Sequence, residues 1–269
     1  VKIINFYSFE QQDEFIVNLF KLKKQGFFLD IACQNPIQGN NTYTLEKEFD
    51  WNGLCFDIDD THTKLGYVTA DGQIHKPRWE EVRNSPFIQM DATSDLFKNF
   101  LIDRIPKDLV VDYISLDVDT PTGQNLALDV LHKIIEAGVR FKAMTFEHEV
   151  YKHTIQQSSR EILENQGYRR LFSNVRLWGG GIYPDEGAFF EDWWIDPRYF
   201  DPNILDIAST GQYFFDCAEA MKTYAKSEYQ PHRHCSVAHA REVDIYSTYG
   251  HHGIEMHETK KPGWKSAWE

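Results

Sequence analysis

Asp112-Tyr113-Ile114-Ser115-Leu116-Asp117-Val118-Asp119, followed by Thr120-Pro121-Thr122-Gly123, is the stretch on which the reading of the fold turns. Val110, Val111, Ile114 and Leu116 make an apolar run of strand length that ends in two carboxylates and then in turn residues. Leu126, Ala127, Val130, Leu131, Ile134 and Ile135 then repeat at helical spacing, with Gly138 as the stop. A strand that buries itself and presents acids at its carboxyl end is how an open α/β sheet builds a site. The sequence therefore places Asp117 and Asp119 at the mouth of one.

The flanking chain repeats the pattern. A helix is expected over 11–25, with Phe15, Ile16, Leu19, Phe20 and Leu22 on one stripe and Gly26 as its stop. Phe27-Phe28-Leu29-Asp30-Ile31 reads as a buried strand ending in an acid, followed by the loop from Ala32 through Pro36. Asn or Thr at 40–42 caps a short helix to Phe49, and 53–60 is a second strand carrying Asp57. Residues 61–84 are polar and mixed, with a turn signal at Asp71-Gly72, and suit a small hairpin or an insertion. Pro86–Thr93 gives a third strand with Asp91 near its end, and Arg140–Glu149 a fifth. A helix over 158–166, a strand over 168–172, a glycine turn at 179–181 and a last strand over 188–194 complete the pattern. The alternation predicts an α/β fold with a mostly parallel, seven-stranded sheet and helices on both faces. Residues 1–202 form that unit. Residues 203–269 are expected as an extension, helical over 204–226 and irregular from 231.

Composition limits the classes of function. Among 269 residues the formal charge is −13, which argues against a general phosphate-binding surface and hence against nucleic acid as a partner. Cys33, Cys55, Cys217 and Cys235 show no C-x-x-C pairing and read as free thiols. No apolar run is long enough for a transmembrane helix, and the first residues lack the apolar core of a signal peptide. A soluble, cytoplasmic protein is the expectation, with a homo-oligomer open. The loop after Ile31 lacks G-x-G-x-x-G, so a pyrophosphate cofactor such as NAD is disfavoured, whereas a nucleoside cofactor without phosphates tolerates this loop.

Six words, in order and over roughly residues 10 to 200, resemble the FkbM family of S-adenosylmethionine-dependent methyltransferases. They are Gly26–Ala32, Asn41–Glu46, Trp51–Asp57, Asp112–Asp119, Phe146–Glu149 and Glu191–Trp194. The resemblance implies a Rossmann-like class I methyltransferase fold and methyl transfer to a hydroxyl of a saccharide or glycosylated small molecule. It implies that Asp30, Ala32, Asn35, Asn41 and Thr42 face the methionine part of the cofactor, that Asp57 holds the ribose, and that Asp91 and Ala92 meet the adenine. The sequence departs from the family at Ala32, where glycine is usual, and at Asp57-Ile58-Asp59, where Glu-Pro-Asp is commoner. Thr120-Pro121-Thr122 also replaces the usual Gly-x-Glu. These departures motivate an alternative, a catalytically lapsed cofactor-binding or assembly module of the same fold.

A neutral hydroxyl is a poor nucleophile, so a base or a metal must assist its methylation. Asp117 is the first candidate, with Glu147 and His148 beside it at the end of the neighbouring strand. Two versions stand open. In one, Asp117 or His148 is the general base; in the other, Asp117, Glu147 and His148, with Asp119, hold a divalent cation such as magnesium. In the tail, His232, His234, Cys235, His251, His252 and His257 lack a zinc frame and read as a solvated or partner-covering segment. Trp193, Trp194, Tyr199 and Phe200 suit either an acceptor platform or core packing.

Overall fold

A computed structural model describes residues 1–60, 67–68, 74–75, 78–118, 124–148, 153–177 and 189–234. The strands are β1 (Lys2–Phe6), β2 (Phe27–Ile31), β3 (Asn52–Asp57), β4 (Tyr67–Val68), β5 (Ile74–His75), β6 (Phe87–Gln89), β7 (Val110–Leu116), β8 (Arg140–Glu147), β9 (Arg169–Arg176), β10 (Phe189–Ile195), β11 (Ser209–Thr210) and β12 (Tyr229–Arg233). The helices are α1 (Gln12–Leu19), α2 (Tyr43–Phe49), α3 (Trp79–Val82), α4 (Asp95–Arg104), α5 (Leu126–Glu136), α6 (His153–Asn165) and α7 (Phe214–Ala225).

The central sheet runs in the order β11-β9-β10-β8-β7-β2-β3-β6. β6, β3, β2, β7 and β8 are parallel, and β10 runs antiparallel to both β8 and β9. This is the Rossmann-like methyltransferase order, widened by one short strand, β11, beyond the seven expected. The chain winds outward from β2 through β3 to β6, then returns to β7 and winds the other way. The switch point therefore falls between β2 and β7, where the carboxyl ends of the strands leave a crevice for a ligand.

Two apolar layers cover the faces. α4, α5 and α6 pack on one through Phe97, Leu101, Val130, Leu131, Ile134, Ile155 and Leu163. α1, α2 and α7 pack on the other through Phe15, Ile16, Leu45, Phe49, Phe214, Cys217 and Met221. In α5 the buried residues Ala127, Val130, Leu131 and Ile134 keep the i, i+3, i+4, i+7 stripe on which its expectation rested.

Several elements differ from the sequence reading. The first helix stops at Leu19 because Lys21 and Leu22 turn left-handed, at φ 50° and 60°. The next residues are spoken for by β3's approach: Lys23 O accepts from the Trp51 indole at 2.8 Å, and Gln25 N donates to Phe49 O at 3.0 Å. Tertiary contacts override local helix preference there. The stretch read as a small hairpin or an insertion holds the antiparallel pair β4–β5 and also α3, which was not expected because four residues are too few to show a period. β12 lies where irregular chain was expected, because its partner, β1, is more than 220 residues away and pairs with it in parallel. Trp193 and Trp194 are fully buried, so the platform reading fails for them; Trp193 stacks on Phe15 with ring centroids 4.5 Å apart. Tyr199 is exposed, and Phe200 packs edge-on against Phe20.

Buried acids on α1 tie the residues after β1, α2 and β12 to that helix. Asp13 accepts from the Tyr7 and Ser8 amides and from the hydroxyls of Ser8 and Thr44, at 2.5 to 3.2 Å. Glu14 accepts from Tyr229 Oη and Arg233 Nε, both at 2.8 Å. Cys33, Cys55 and Cys217 are buried free thiols, as expected. No described helix is long and apolar enough to cross a membrane.

Candidate active site

The pocket opens at the switch point, lined by strand ends and the loop after β2. β2 supplies Asp30, and the loop after it supplies Ala32 and Asn41; Asp117 follows β7 and Glu147 closes β8. Asp117 N donates to Ile31 O at 3.3 Å, which extends the β2–β7 pairing and fixes the acid beside the end of β2.

The floor is built around Asp30, which is 2% exposed. Its Oδ2 accepts from Thr42 Oγ1 at 2.7 Å and Asn40 Nδ2 at 3.2 Å. Burial raises Asp30 against the counter-charge of Arg83, and the balance stands at about 6. Asn40 Oδ1 in turn accepts from the amides of Thr42 and Tyr43 and so caps α2. The capping side chain thus falls within the 40–42 stretch that the sequence offered for it.

Arg83 is the residue that sequence reading missed. Its side chain is fully buried under the loop. It donates to Asn40 Oδ1 and Thr42 Oγ1, both at 2.9 Å, and to Glu46 Oε2 at 3.2 Å. Burial works to raise Glu46, but Arg83 and the hydrogen bonds from Ser85 and Asn84 outweigh it and hold the carboxyl at about 2. A lone arginine in a polar segment carries no periodic signal, so nothing in the sequence marked it.

The remaining cofactor candidates take separate places. Asn35 is buried and its Oδ1 accepts from the amides of Ile37 and Gln38, at 2.9 Å each, shaping the loop. Asn41 lines the pocket and donates to Ser115 Oγ at 3.0 Å, joining the loop to β7. Thr42 is buried beneath the pocket on Asp30. Asp57 accepts from the Gln34 amide at 3.0 Å, so it holds the loop from the end of β3. Asp91 is exposed and folds onto its own turn, accepting from Thr93 N at 2.9 Å, while Ala92 packs half-buried beneath the sheet. Neither lines the pocket. Ala32 takes φ 61°, the conformation for which glycine is the ordinary choice.

His148 does not join Asp117 and Glu147. Successive strand residues point to opposite faces, so with Glu147 on the pocket His148 is sent the other way, towards β10 and α6. It is fully buried, with Nε2 3.5 Å from Asp192 Oδ1 and 3.3 Å from Gln156 Nε2. Arg160 forks onto Asp192 at 2.7 and 2.8 Å. Burial opposes the Asp192 charge, yet Arg160 and His148 hold this carboxyl well below the usual range. The expected grouping of Asp117, Glu147 and His148 is corrected accordingly. Among the described residues no three His, Cys, Asp or Glu side chains are arranged to hold a metal ion, and Asp119 lies outside them. In the tail, His232 and His234 both reach Asn5 Oδ1, at 3.2 and 3.1 Å. Cys235, His251, His252 and His257 lie outside the described residues.

Two further acids line the pocket, Glu10 just before α1 and Glu191 on β10 opposite Glu147. Burial, then the charge of Asp117, push Glu10 up to about 8. The same two causes, in the same order, push Glu191 well up, although Gln12 and the Trp193 indole donate to it. Glu191 lay inside a quoted family word, whereas Glu10 had no signal.

No family model and no curated protein matches this sequence. Among solved structures, the chain is similar to a putative methyltransferase of Streptococcus mutans in complex with SAH, at 11% identity and a TM-score of 0.42, over 69% of this chain and 96% of that one. It is also similar to a putative rRNA-methylase of Clostridium thermocellum, at 13% identity and a TM-score of 0.42, over 71% of this chain and 97% of that one.

Proposed function

We propose that this chain is an S-adenosylmethionine-dependent O-methyltransferase of the FkbM kind, acting on a hydroxyl of a saccharide or glycosylated small molecule. The observation that carries the reading is the meeting of Asp30, the left-handed Ala32, Asn41 and Asp117 at the switch point of a sheet with methyltransferase strand order. The six sequence words supply the finer family and acceptor class.

The residues present suit such a cofactor. Asp30 and Asn41 would face its methionine part, and Asp57 stands where a ribose-binding acid belongs. When bound, the cofactor supplies an electrophilic methyl group on a sulfonium. The chain's own task is to orient the acceptor and take its proton. Asp117 is placed for that proton at the end of β7, and Glu147 stands on the same pocket. His148, turned into the Asp192–Arg160 network, positions β8 against α6 instead of touching the acceptor. Asp117→Asn is expected to abolish methyl transfer, measured with labelled cofactor, while cofactor affinity stays within about twofold, since the change keeps shape and removes one charge at the acceptor side. Retained turnover removes Asp117 from the mechanism.

One observation favours the second reading, a cofactor-binding module without turnover: Asp30 is already held by Asn40 and Thr42 of its own loop. Saturable cofactor binding with no product across a broad acceptor panel would select it.

A further inference from the structure

Beneath the pocket, one step back along the strands, lies a layer of hydroxyls. Ser115 stands two residues before Asp117 on β7 and so faces the same side of the sheet. It pairs in register with Asp30 on β2 and with Thr145 on β8. Ser115, Thr145 and Tyr113 are all buried. Ser115 Oγ accepts from Asn41 Nδ2 at 3.0 Å. Tyr113, on the same face of β7, bonds to the Ser115 hydroxyl and has its Oη 2.7 Å from Thr145 Oγ1. A hydroxyl has one proton to give. With Ser115 accepting from Asn41, its own proton is left for Tyr113 Oη, and that of Tyr113 for Thr145 Oγ1. The chain of hydrogen bonds therefore runs one way, out of the pocket and into the sheet.

That direction decides which end of the Asn41 amide meets the pocket. Asn41 is 5% exposed and lines it. Its Nδ2 is committed to Ser115. Among the described residues no donor reaches its Oδ1, and that oxygen is not sealed from solvent. An amide oxygen accepts and an amide nitrogen donates, so the two ends suit opposite groups. With Oδ1 outward, on a pocket that Asp30 also lines, the wall takes an N–H donor; with Nδ2 outward it would take a carboxylate. The amino-acid end of the cofactor carries both groups. We propose that Ser115, Tyr113 and Thr145 are positioning residues, whose hydrogen-bond chain holds the Asn41 amide oxygen towards the pocket to accept from the cofactor's ammonium group. The assignment rests on the methyltransferase reading for the identity of the ligand.

The test compares two ligands on the full chain by calorimetry, SAH and its analogue without the α-amino group. The unsubstituted chain is expected to bind SAH about tenfold or more tighter than the deaminated analogue, the size of a charge-assisted hydrogen bond. Ser115→Ala and Thr145→Val should each cut that preference about threefold or more, while affinity for the deaminated analogue stays within about twofold. Thr145→Val keeps the side chain's shape, lies outside the pocket lining and removes the far end of the chain. It decides the matter if Ser115→Ala does not fold. Asn41→Asp presents an oxygen whichever way it turns, so in that background neither substitution should alter the preference. An unchanged preference in either folded variant overturns the proposal. So does equal weakening of both ligands, which is what a merely structural role gives, and so does a fall that persists with Asn41→Asp. SAH binding without any amino preference in the unsubstituted chain overturns the proposal and leaves the methyltransferase reading standing. No SAH binding at all removes that reading, and the proposal with it.

Discussion

Ala32 and Glu10 show how much of this site is decided by single residues. Ala32 sits at φ 61°, where a side chain with a Cβ costs about 1–2 kcal/mol. Ala32→Gly relieves that strain but loosens the unfolded chain by about 0.4–1 kcal/mol. Urea unfolding is therefore expected to show a variant between unchanged and about 1.6 kcal/mol more stable. A clear loss of stability would mean that the methyl group packs usefully. Glu10 acts through pH. Its folded value of about 8 lies above its ordinary 4.5, so its contribution is fully present below pH 4.5 and is lost as pH rises through 8. The unliganded chain is expected to lose on the order of 3 kcal/mol over that window from this group. Glu10→Gln should flatten the fall when thermal melts are run from pH 5 to 9. An unaltered pH profile would show that Glu10 is ionised in the folded chain throughout.

At the scale of elements, the loop between β2 and α2 depends on a buried ion pair that comes from elsewhere in the sequence. Arg83, next to α3, reaches Glu46 on α2 and both Asn40 and Thr42 before it. Arg83→Met leaves Glu46 buried without its main cation, which costs about 3–5 kcal/mol. Chemical denaturation should show that loss. Arg83→Met combined with Glu46→Gln should recover part of it, because the uncompensated charge, rather than the lost contact, is the larger cost. If the single and double variants are equally unstable, the pair is not what holds the loop. The six family-like words include Glu46 but not Arg83, so only half of this device stood in the resemblance.

For the whole molecule, described residues between 204 and 229 belong to the same apolar layer as α1. Phe214, Cys217, Met221 and Tyr229 are buried together with Phe15 and Trp193. Tyr229 and Arg233 also hold Glu14, which is 1% exposed. A chain ending at residue 202 would uncover one face of the sheet and leave Glu14 without its cation. It is expected to lack a cooperative melting transition, whereas a chain ending at 234 should melt like the full one. A sharp transition for the shorter chain would show that 1–202 folds by itself.

What the sequence determined by itself was whatever repeats locally. Period-2 and period-3.6 apolar runs marked β2, β3, β7, β8 and α5, and strand-end acids put Asp30, Asp117 and Glu147 at one edge of one sheet, because a parallel sheet aligns its carboxyl ends. What has no local period was settled only in three dimensions. The pairing of β1 with β12 joins the first residues to those past 228. The placement of Arg83 beneath the loop, and the arrival of Glu10 and Glu191 on the pocket, also come from distant segments. The facing of His148 had a local cause, since one step along a strand reverses a side chain, but which face held the pocket had to come from the neighbours. Asp117, the acid on which the reading began, keeps its place at the switch point. Its companions are carboxylates from remote segments, because tertiary packing, and not spacing along β8, decides what faces it.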